Sequence, residues 1–181
     1  MVILFMANGT EETEAIAVFD ILKRGGVEVV TVGVDEKSVC LSHGLRIECD
    51  ESSRGLVLSE APEAVILPGG MPGTLNLEKN ADVIGLVKDA ASRGAVVAAI
   101  CAAPSILGRL GLLKGREAVC YPGFEKHLAG AVLSEKPVVR DGNIITAKGA
   151  GVALEFGAEI LSALKGEEAA AAVMSAVQYS R

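Results

Sequence analysis

Three short runs of mostly branched aliphatic residues, each ended by glycine or another strand-breaking residue, constrain the fold of this chain most. They are VILFMANG at residues 2–9, AVILPGG at 64–70 and GAVVAAIC at 94–101. Each run is followed by a stretch with helical character. Continuous apolar runs of this length, alternating with helices, are typical of parallel strands that are buried on both faces. The sequence therefore predicts an α/β protein with a mostly parallel sheet and helices on both faces.

The other predicted elements fit this architecture. An apolar stripe at helical spacing follows the first strand and consists of Ala15, Val18, Phe19 and Leu22. A further strand is predicted at 27–34, and further helices at 79–93, 104–113, 153–166 and 167–177. The segment around residues 45–50 looks antiparallel, and so does 137–147, where Asp141-Gly142 is a strong hairpin signal.

Size and charge narrow the class of protein. With 181 residues, 50% of them apolar, the chain can bury one good core, which predicts a single domain over 1–181. The net charge is −6 and lysine and arginine do not cluster, so we expect no nucleic-acid partner. The opening MVILFMANG has no basic leader and is too short for a membrane span. We therefore expect a cytoplasmic protein with no membrane partner.

The cysteines give no sign of a metal site or a disulfide framework. Cys40, Cys49, Cys101 and Cys120 form no C-x-x-C pair, and the chain has only two histidines. Reduced thiols are the rule in the cytoplasm. We expect no metal and no cofactor.

Cys101 lies where a predicted strand passes into a predicted helix. Ala99 and Ala103 stand two residues before and two after it, the spacing that small residues have in a nucleophile elbow. Pro104 suits the first turn of the helix. A thiol at a helix N-terminus is expected to form a thiolate easily, with a lowered pKa. The alternative is that Cys101 is a small buried hydrophobic residue, which is common for cysteine.

Two other loops follow predicted strands and lie at the same edge of the sheet, where open α/β sheets bind ligands. The first helix begins with Glu11, Glu12 and Glu14, and acidic residues favour helix N-termini, although one of them could be catalytic. The segment 68–70, Pro-Gly-Gly, could direct backbone N–H groups at a developing oxyanion, and a plain tight turn is equally compatible.

Taken together, NGTEETEAI, AVILPGG and AAICAAP, in this order and at these separations, resemble the ThiJ/PfpI superfamily. Within it, the chain is similar to the branch of the Parkinson-disease protein deglycase and its bacterial relatives. The similarity runs nearly end to end, through TAKGAGVALEFGAEIL. It implies a class I glutamine amidotransferase-like fold, which is a flavodoxin-like three-layer sandwich with a small antiparallel hairpin.

The resemblance also implies roles for individual residues. Cys101 matches the essential, easily oxidised cysteine, and Glu14 matches a glutamic acid that is hydrogen-bonded to its sulfur. Gly69, Gly70 and Ala102 match the backbone that lines an anion pocket. The resemblance further implies a homodimer, with Cys49 near its interface.

The chain departs from the family pattern at the histidine. Relatives with a Cys-His pair carry it directly after the cysteine or at the end of the next strand, where this chain has Ala102 and Tyr121. Tyr121 could bind substrate, but an ordinary pKa near 10 makes it a poor general base. His43 matches a loop that approaches the partner's site in relatives, and is a second candidate for substrate binding. His127 is interpreted as an exposed histidine in a helix.

Three functions follow from this pattern. The first is a glyoxalase III or deglycase type enzyme, a cofactor-free hydro-lyase that uses Cys101 and Glu14 on reactive α-oxoaldehydes or glycated substrates. It would convert methylglyoxal to lactate and protect against oxidative stress. The second is a redox sensor or redox-regulated chaperone that works through oxidation of Cys101. The third, a cysteine peptidase or amidotransferase-like hydrolase, is disfavoured because the histidine is missing.

Overall fold

The computed structural model describes residues 1–180, in which a seven-stranded sheet separates two layers of helices. The strands are β1 Val2–Met6, β2 Val29–Gly33, β3 Ser38–Cys40, β4 Arg46–Glu48, β5 Glu51–Ser52, β6 Ala64–Leu67, β7 Val96–Ile100, β8 Glu117–Ala118, β9 Val132–Leu133, β10 Val138–Asp141 and β11 Ile144–Ala147. The helices are α1 Glu12–Arg24, α2 Gly73–Lys79, α3 Ala81–Ser92, α4 Pro104–Arg109, α5 Ala153–Lys165 and α6 Glu167–Ala176. Short 3₁₀ helices cover Glu125–His127 and Ala150–Val152.

The order of strands in the sheet is β10-β11-β7-β6-β1-β2-β5. All neighbours are parallel except β10, which runs antiparallel to β11. Two small sheets lie outside it: the antiparallel pair β3–β4 and the parallel pair β8–β9. The α/β class, the mostly parallel sheet and the small antiparallel hairpin are confirmed.

The two faces of the central strands belong to two separate cores, which explains their uninterrupted apolar runs. In β1, Leu4 packs into the core beneath α1 and α5, and Phe5 packs into the core beneath α3 and α4. Both side chains have no exposed surface. Because successive residues of a strand point to opposite faces, a strand covered on both sides is apolar at every position.

Some helix boundaries differ from the predicted ones, and some short elements were not predicted. The helix predicted at 79–93 begins at Ala81, because the Asn80 side chain caps it by accepting from the N–H groups of Asp82 and Val83. The preceding helix α2 was not predicted. The helix predicted at 104–113 ends at Arg109. Strands β8 and β9, of two residues each, were not predicted and are too short to give a periodic signal.

The hairpin predicted at 137–147 is confirmed, with its turn one residue later than expected. Asp141 pairs with Ile144 as part of the ladder, so the two-residue loop is Gly142-Asn143. Gly142 has a φ of 61°, which glycine adopts without a steric penalty.

Within residues 1–180, no helix has both the length and the apolar character that a membrane crossing requires.

Candidate active site

Cys101 occupies a sharp turn between β7 and α4. Its φ is 65°, in the left-handed region that residues with a Cβ rarely adopt, at a cost of about 1–3 kcal/mol. The Cys101 N–H donates to the carbonyl of Ala147 in β11 (2.9 Å), and Pro104 begins α4. Ala99 and Ala103 are completely buried, so larger side chains would not fit beside the turn. The predicted elbow is confirmed.

Glu14 is buried beneath the elbow, with 1% of its surface exposed. It stands in the first turn of α1, which follows the carboxyl end of β1 after a loop at residues 7–11. Its Oε2 accepts from the Gly69 N–H (2.8 Å), and its carboxyl group hydrogen bonds to the Cys101 thiol and the Ala150 N–H. Of the three glutamic acids at this helix start, only Glu14 bonds to the cysteine.

The glycines after β6 allow these groups to approach one another. A Cβ atom on Gly69 would lie 2.6 Å from the Cys101 Cβ and 2.7 Å from Glu14 Oε2. The N–H groups of Gly70 and Ala102 hydrogen bond to the Cys101 sulfur and stabilise negative charge there. The Gly69 N–H is used by Glu14, so Gly69 positions the carboxyl group instead of lining the anion pocket as expected.

The charges of Cys101 and Glu14 depend on each other. Burial raises the pKa of Glu14 to about 7, against the hydrogen bonds from Cys101 and Gly69. Burial and the adjacent Glu14 carboxylate raise the pKa of Cys101 to about 12, and the Gly70 and Ala102 N–H groups act in the opposite direction. The expected lowering of the thiol pKa is therefore wrong, and burial of the sulfur is the larger cause.

It follows that the pair carries at most one negative charge at neutral pH, because two anions in contact in a buried site oppose each other's ionisation. A proton that moves from the sulfur to Glu14 leaves a thiolate that accepts from a neutral carboxyl group. Proton transfer within the pair would thus convert the thiol into the more nucleophilic thiolate.

Tyr121 borders this pair. Its N–H donates to the carbonyl of Cys101 (2.8 Å), and its side chain is half exposed. A Cβ on Gly149 would lie 3.3 Å from the Tyr121 ring and 3.8 Å from Glu14 Oε1, so the ring and the carboxyl group flank the same glycine. Tyr121 therefore lies beside the carboxyl group with its side chain exposed to solvent.

The two histidines lie away from the sulfur. The His43 ring Nδ1 is 2.7 Å from Glu12 Oε2, and the His43 N–H donates to Glu12 Oε1 (2.6 Å). This contact raises the pKa of His43. The hydrogen bonds from His43 and Ser42 outweigh partial burial and lower the pKa of Glu12 to about 2. His43 thus ties the β3–β4 hairpin to the start of α1.

His127 was expected to be exposed and helical. It is half buried at the end of the 3₁₀ helix, and its ring packs at a tilt against Phe124 with 6.0 Å between centroids. The packing gives His127 a structural role.

Gly149 and Ala150 were missed as site residues. They follow β11, whose carboxyl end lies at the same sheet edge as those of β6 and β7. Open α/β sheets bind ligands at the carboxyl ends of their parallel strands, and β11 was not predicted to be one of those strands. For this reason the loop after β11 was not considered as part of the site.

Among residues 1–180, one group of side chains has the spacing of cation ligands, although no metal site was expected from the sequence. Glu11, Glu12 and His43 place one ligand atom each within 4.8 Å of one another. These atoms already have partners: Glu11 accepts from the Glu14 N–H, and Glu12 bonds to His43.

The other thiols lack a comparable setting. All four cysteines are free. Burial, together with the charges of nearby carboxylates, raises the pKa of Cys49 and of Cys120 to about 11 each. A polar cavity of about 490 Å³ between Asp35, Asn76 and Asn80 does not include Cys101.

A cysteine at the strand-to-helix turn of a flavodoxin-like sheet, with a buried acid against its sulfur, defines a class of cysteine-centred α/β proteins. The chain belongs to the DJ-1/PfpI family, whose profile matches residues 1–163.

Curated relatives include Protein dj-1beta of Drosophila melanogaster, which is 35% identical over 169 residues, covering 92% of this chain and 90% of that protein. Protein DJ-1 homolog B of Arabidopsis thaliana is 37% identical over 179 residues. That match covers 95% of this chain and 40% of the plant protein, so the chain spans less than half of this relative.

The fold is shared with solved structures of the same family. Oxidized DJ-1 of Toxoplasma gondii superposes with a TM-score of 0.94 at 31% identity, covering 99% of this chain and 98% of that one. The expected flavodoxin-like fold and the family resemblance are confirmed.

Proposed function

We propose that this protein is a cofactor-independent enzyme that converts reactive α-oxoaldehydes such as methylglyoxal to hydroxy acids. The hydrogen-bonded pair of Cys101 and Glu14, with two N–H groups aimed at the sulfur, is the observation that supports this most directly. It supplies a nucleophile, a proton carrier and an anion site in one place.

The reaction begins when the Cys101 thiolate attacks the aldehyde carbon of methylglyoxal, and Glu14 protonates the carbonyl oxygen to give a hemithioacetal. The Glu14 carboxylate then removes the hydrogen from that carbon and returns a proton to the neighbouring carbon. This isomerisation turns the ketone into an alcohol and the hemithioacetal into a thioester. Water cleaves the thioester, releasing lactate and the thiol. In total, one methylglyoxal and one water give one lactate and one proton.

Tyr121 takes the place of the histidine that could have served as the base, so Glu14 carries every proton in this scheme. A carboxyl group with a pKa of about 7 is suited to both donating and accepting at neutral pH. Removal of early aldehyde adducts from glycated substrates uses the same first attack, and gives the protein a role in stress protection.

We also propose a cytoplasmic homodimer. The four free thiols suit a reducing compartment such as the cytoplasm.

Two exposed apolar side chains support the dimer. Ile16, one turn beyond Glu12 on α1, is 42% exposed, and Leu45, two residues after His43, is 47% exposed. These apolar side chains flank the Glu12–His43 contact and would be covered by a second copy. Sedimentation of the Leu45→Glu variant against the wild type tests this assembly.

A second candidate function is redox sensing or redox-regulated chaperoning. The N–H groups of Gly70 and Ala102 and the protonated Glu14 would all donate to a Cys101 sulfinate. The related Toxoplasma protein is described as oxidized. The hydrolase alternative lacks support, since neither histidine contacts Cys101.

Lactate formation from methylglyoxal tests the main proposal. We expect Cys101→Ser to abolish turnover, and Glu14→Gln to lower it at least ~100-fold. Cys40→Ser, which removes another partly exposed thiol, should retain activity. A wild-type protein without turnover, in which peroxide still converts Cys101 to the sulfinate, would favour the sensor.

A further inference from the structure

Glu11, Gly69 and Glu14 form a closed ring of three hydrogen bonds beside Cys101. The Glu11 N–H donates to the Gly69 carbonyl (3.0 Å), and the Gly69 N–H donates to Glu14 Oε2 (2.8 Å). The ring closes where the Glu14 N–H donates to Glu11 Oε2 (2.7 Å). Each residue is both donor and acceptor, so none of the three can turn away without breaking two of the bonds.

The ring is packed tightly against the reactive pair. Gly69 leaves no space for a Cβ on its Cys101 side, and a Cβ on Gly70 would collide with the Glu11 backbone nitrogen. Glu11 itself lies just before α1 as its N-cap. Its carboxylate is therefore held at a fixed place next to Glu14.

We propose, on the basis of the function inferred above, that Glu11 is a positioning residue that directs the proton shared by Glu14 and Cys101 onto Glu14. The Glu11 carboxylate opposes a second negative charge on the neighbouring carboxyl group. The proton therefore passes from the sulfur to Glu14, and the sulfur becomes the anion that attacks.

The groups around Glu14 support this assignment. Three titratable groups face Glu14. Cys101 does so from the elbow and Glu11 from the N-cap of α1. Tyr121 lies on the other side of Gly149. Gly69 and Ala150 contribute neutral N–H donors. Burial is the larger cause of the raised pKa of Glu14, and the charge of Glu11 acts in the same direction.

Glu12 provides a matched control. It carries the same charge one residue along, but its carboxylate is turned toward His43 and Ser42 on the β3–β4 hairpin. Removing the charge of Glu12 should therefore leave the shared proton where it is.

The test measures the thiolate itself, by its ultraviolet absorbance and by the rate of alkylation with iodoacetamide across pH. Glu11→Gln keeps a capping oxygen and loses the charge, so we expect slower alkylation of Cys101 at neutral pH, by about 3- to 10-fold, with the midpoint at higher pH. Glu12→Gln should change the rate less than about 2-fold. Equal effects of the two substitutions would overturn the proposal.

Glu11→Asp restores both the charge and a capping side chain, and should recover most of the wild-type alkylation rate. An aspartate variant that folds but is alkylated at least about 3-fold more slowly than the wild type would overturn the role of the charge. This comparison with the wild type does not need Glu11→Gln to fold. Alkylation of Cys101 needs no turnover. If the wild type is alkylated as expected but forms no lactate, the result contradicts the proposed enzymatic function and leaves the role of Glu11 in place.

Discussion

The backbone N–H of Gly69 donates a hydrogen bond of 2.8 Å to Glu14 Oε2, joining the end of β6 to the first turn of α1. The bond holds the buried carboxyl group against Cys101. It is formed through backbone atoms of a residue that has no space for a side chain. The alignment of the reactive pair thus depends on a glycine that takes no part in the chemistry.

Gly69→Ala should therefore impair the site sharply. The new methyl group would lie 2.6 Å from the Cys101 Cβ, so the sulfur and the carboxyl group must separate. We expect lactate formation to fall at least ~100-fold, since small misplacements of reacting groups have effects of this size. Stability should fall by roughly 1–3 kcal/mol. Gly151→Ala, at a position with open space around it, should behave as wild type in both assays.

Glu14 should make the stability of the protein depend on pH. Its pKa is about 7 in the folded protein and near the ordinary 4.5 when unfolded, so the folded state holds an extra proton between these values. The free energy of unfolding therefore falls as pH rises from about 4.5 to about 7. Glu14→Gln removes this slope.

Between pH 4.5 and pH 8, the stability of Glu14→Gln relative to wild type should improve by on the order of 1–3 kcal/mol. Urea denaturation at the two pH values measures the change. Glu168→Gln, on the exposed start of α6, serves as the comparison. Its stability relative to wild type should be the same at the two pH values. A wild-type slope that survives Glu14→Gln would assign it to another group.

The Glu12–His43 contact should be visible in the titration of His43. The raised pKa of His43 means that the contact stabilises the hairpin below the ordinary value of 6.5 and is lost as pH rises through the folded value. The lowered pKa of Glu12 means that the stabilisation contributed by its ionised carboxylate is present above pH 4.5 and is lost as pH falls toward about 2. The contact is therefore strongest between about pH 4.5 and 6.5.

Proton NMR of the imidazole ring measures this directly. Glu12→Gln should return the pKa of His43 toward 6.5, because the side-chain contact with Glu12 is the main cause of its raised value. An identical His43 titration in both proteins would show that the contact does not form in solution.

Tyr121→Phe should change lactate formation by less than about 3-fold, within what the loss of one exposed hydrogen-bonding group usually costs. The Tyr121 side chain is half exposed, and its contact with Cys101 runs through the backbone N–H, which the substitution keeps. A loss well above 10-fold would give the hydroxyl group a part in catalysis. Steady-state kinetics with methylglyoxal distinguishes the two results.

The elbow could be predicted from the sequence because its cause is local. Small residues around Cys101 allow the strand to turn at once into a helix, and the proline three residues later suits the first helical turn. The parallel strands were equally plain, because burial on both faces makes them apolar throughout.

The partner of Cys101 could not be chosen from the residues alone. Glu11, Glu12 and Glu14 all suit a helix N-terminus, and which one turns inward depends on how α1 packs on the sheet. Only the family resemblance singled out Glu14. The pKa of the thiol was misjudged for a related reason. The helix N-terminus is visible in the sequence, whereas the burial of the sulfur and the carboxylate beside it both arise from tertiary packing.

The strand order has a consequence for how the site comes into being. β6 lies between β1 and β7 in the sheet, so Gly69 enters between the helix that carries Glu14 and the turn that carries Cys101. The three parts are far apart along the chain and meet only when this middle strand is inserted. In the unfolded chain, Cys101 has neither the carboxyl partner nor the N–H donors of the assembled site. Its reactivity is therefore a reporter of folding, and a thiol reagent applied during refolding would record the moment at which β6 takes its place.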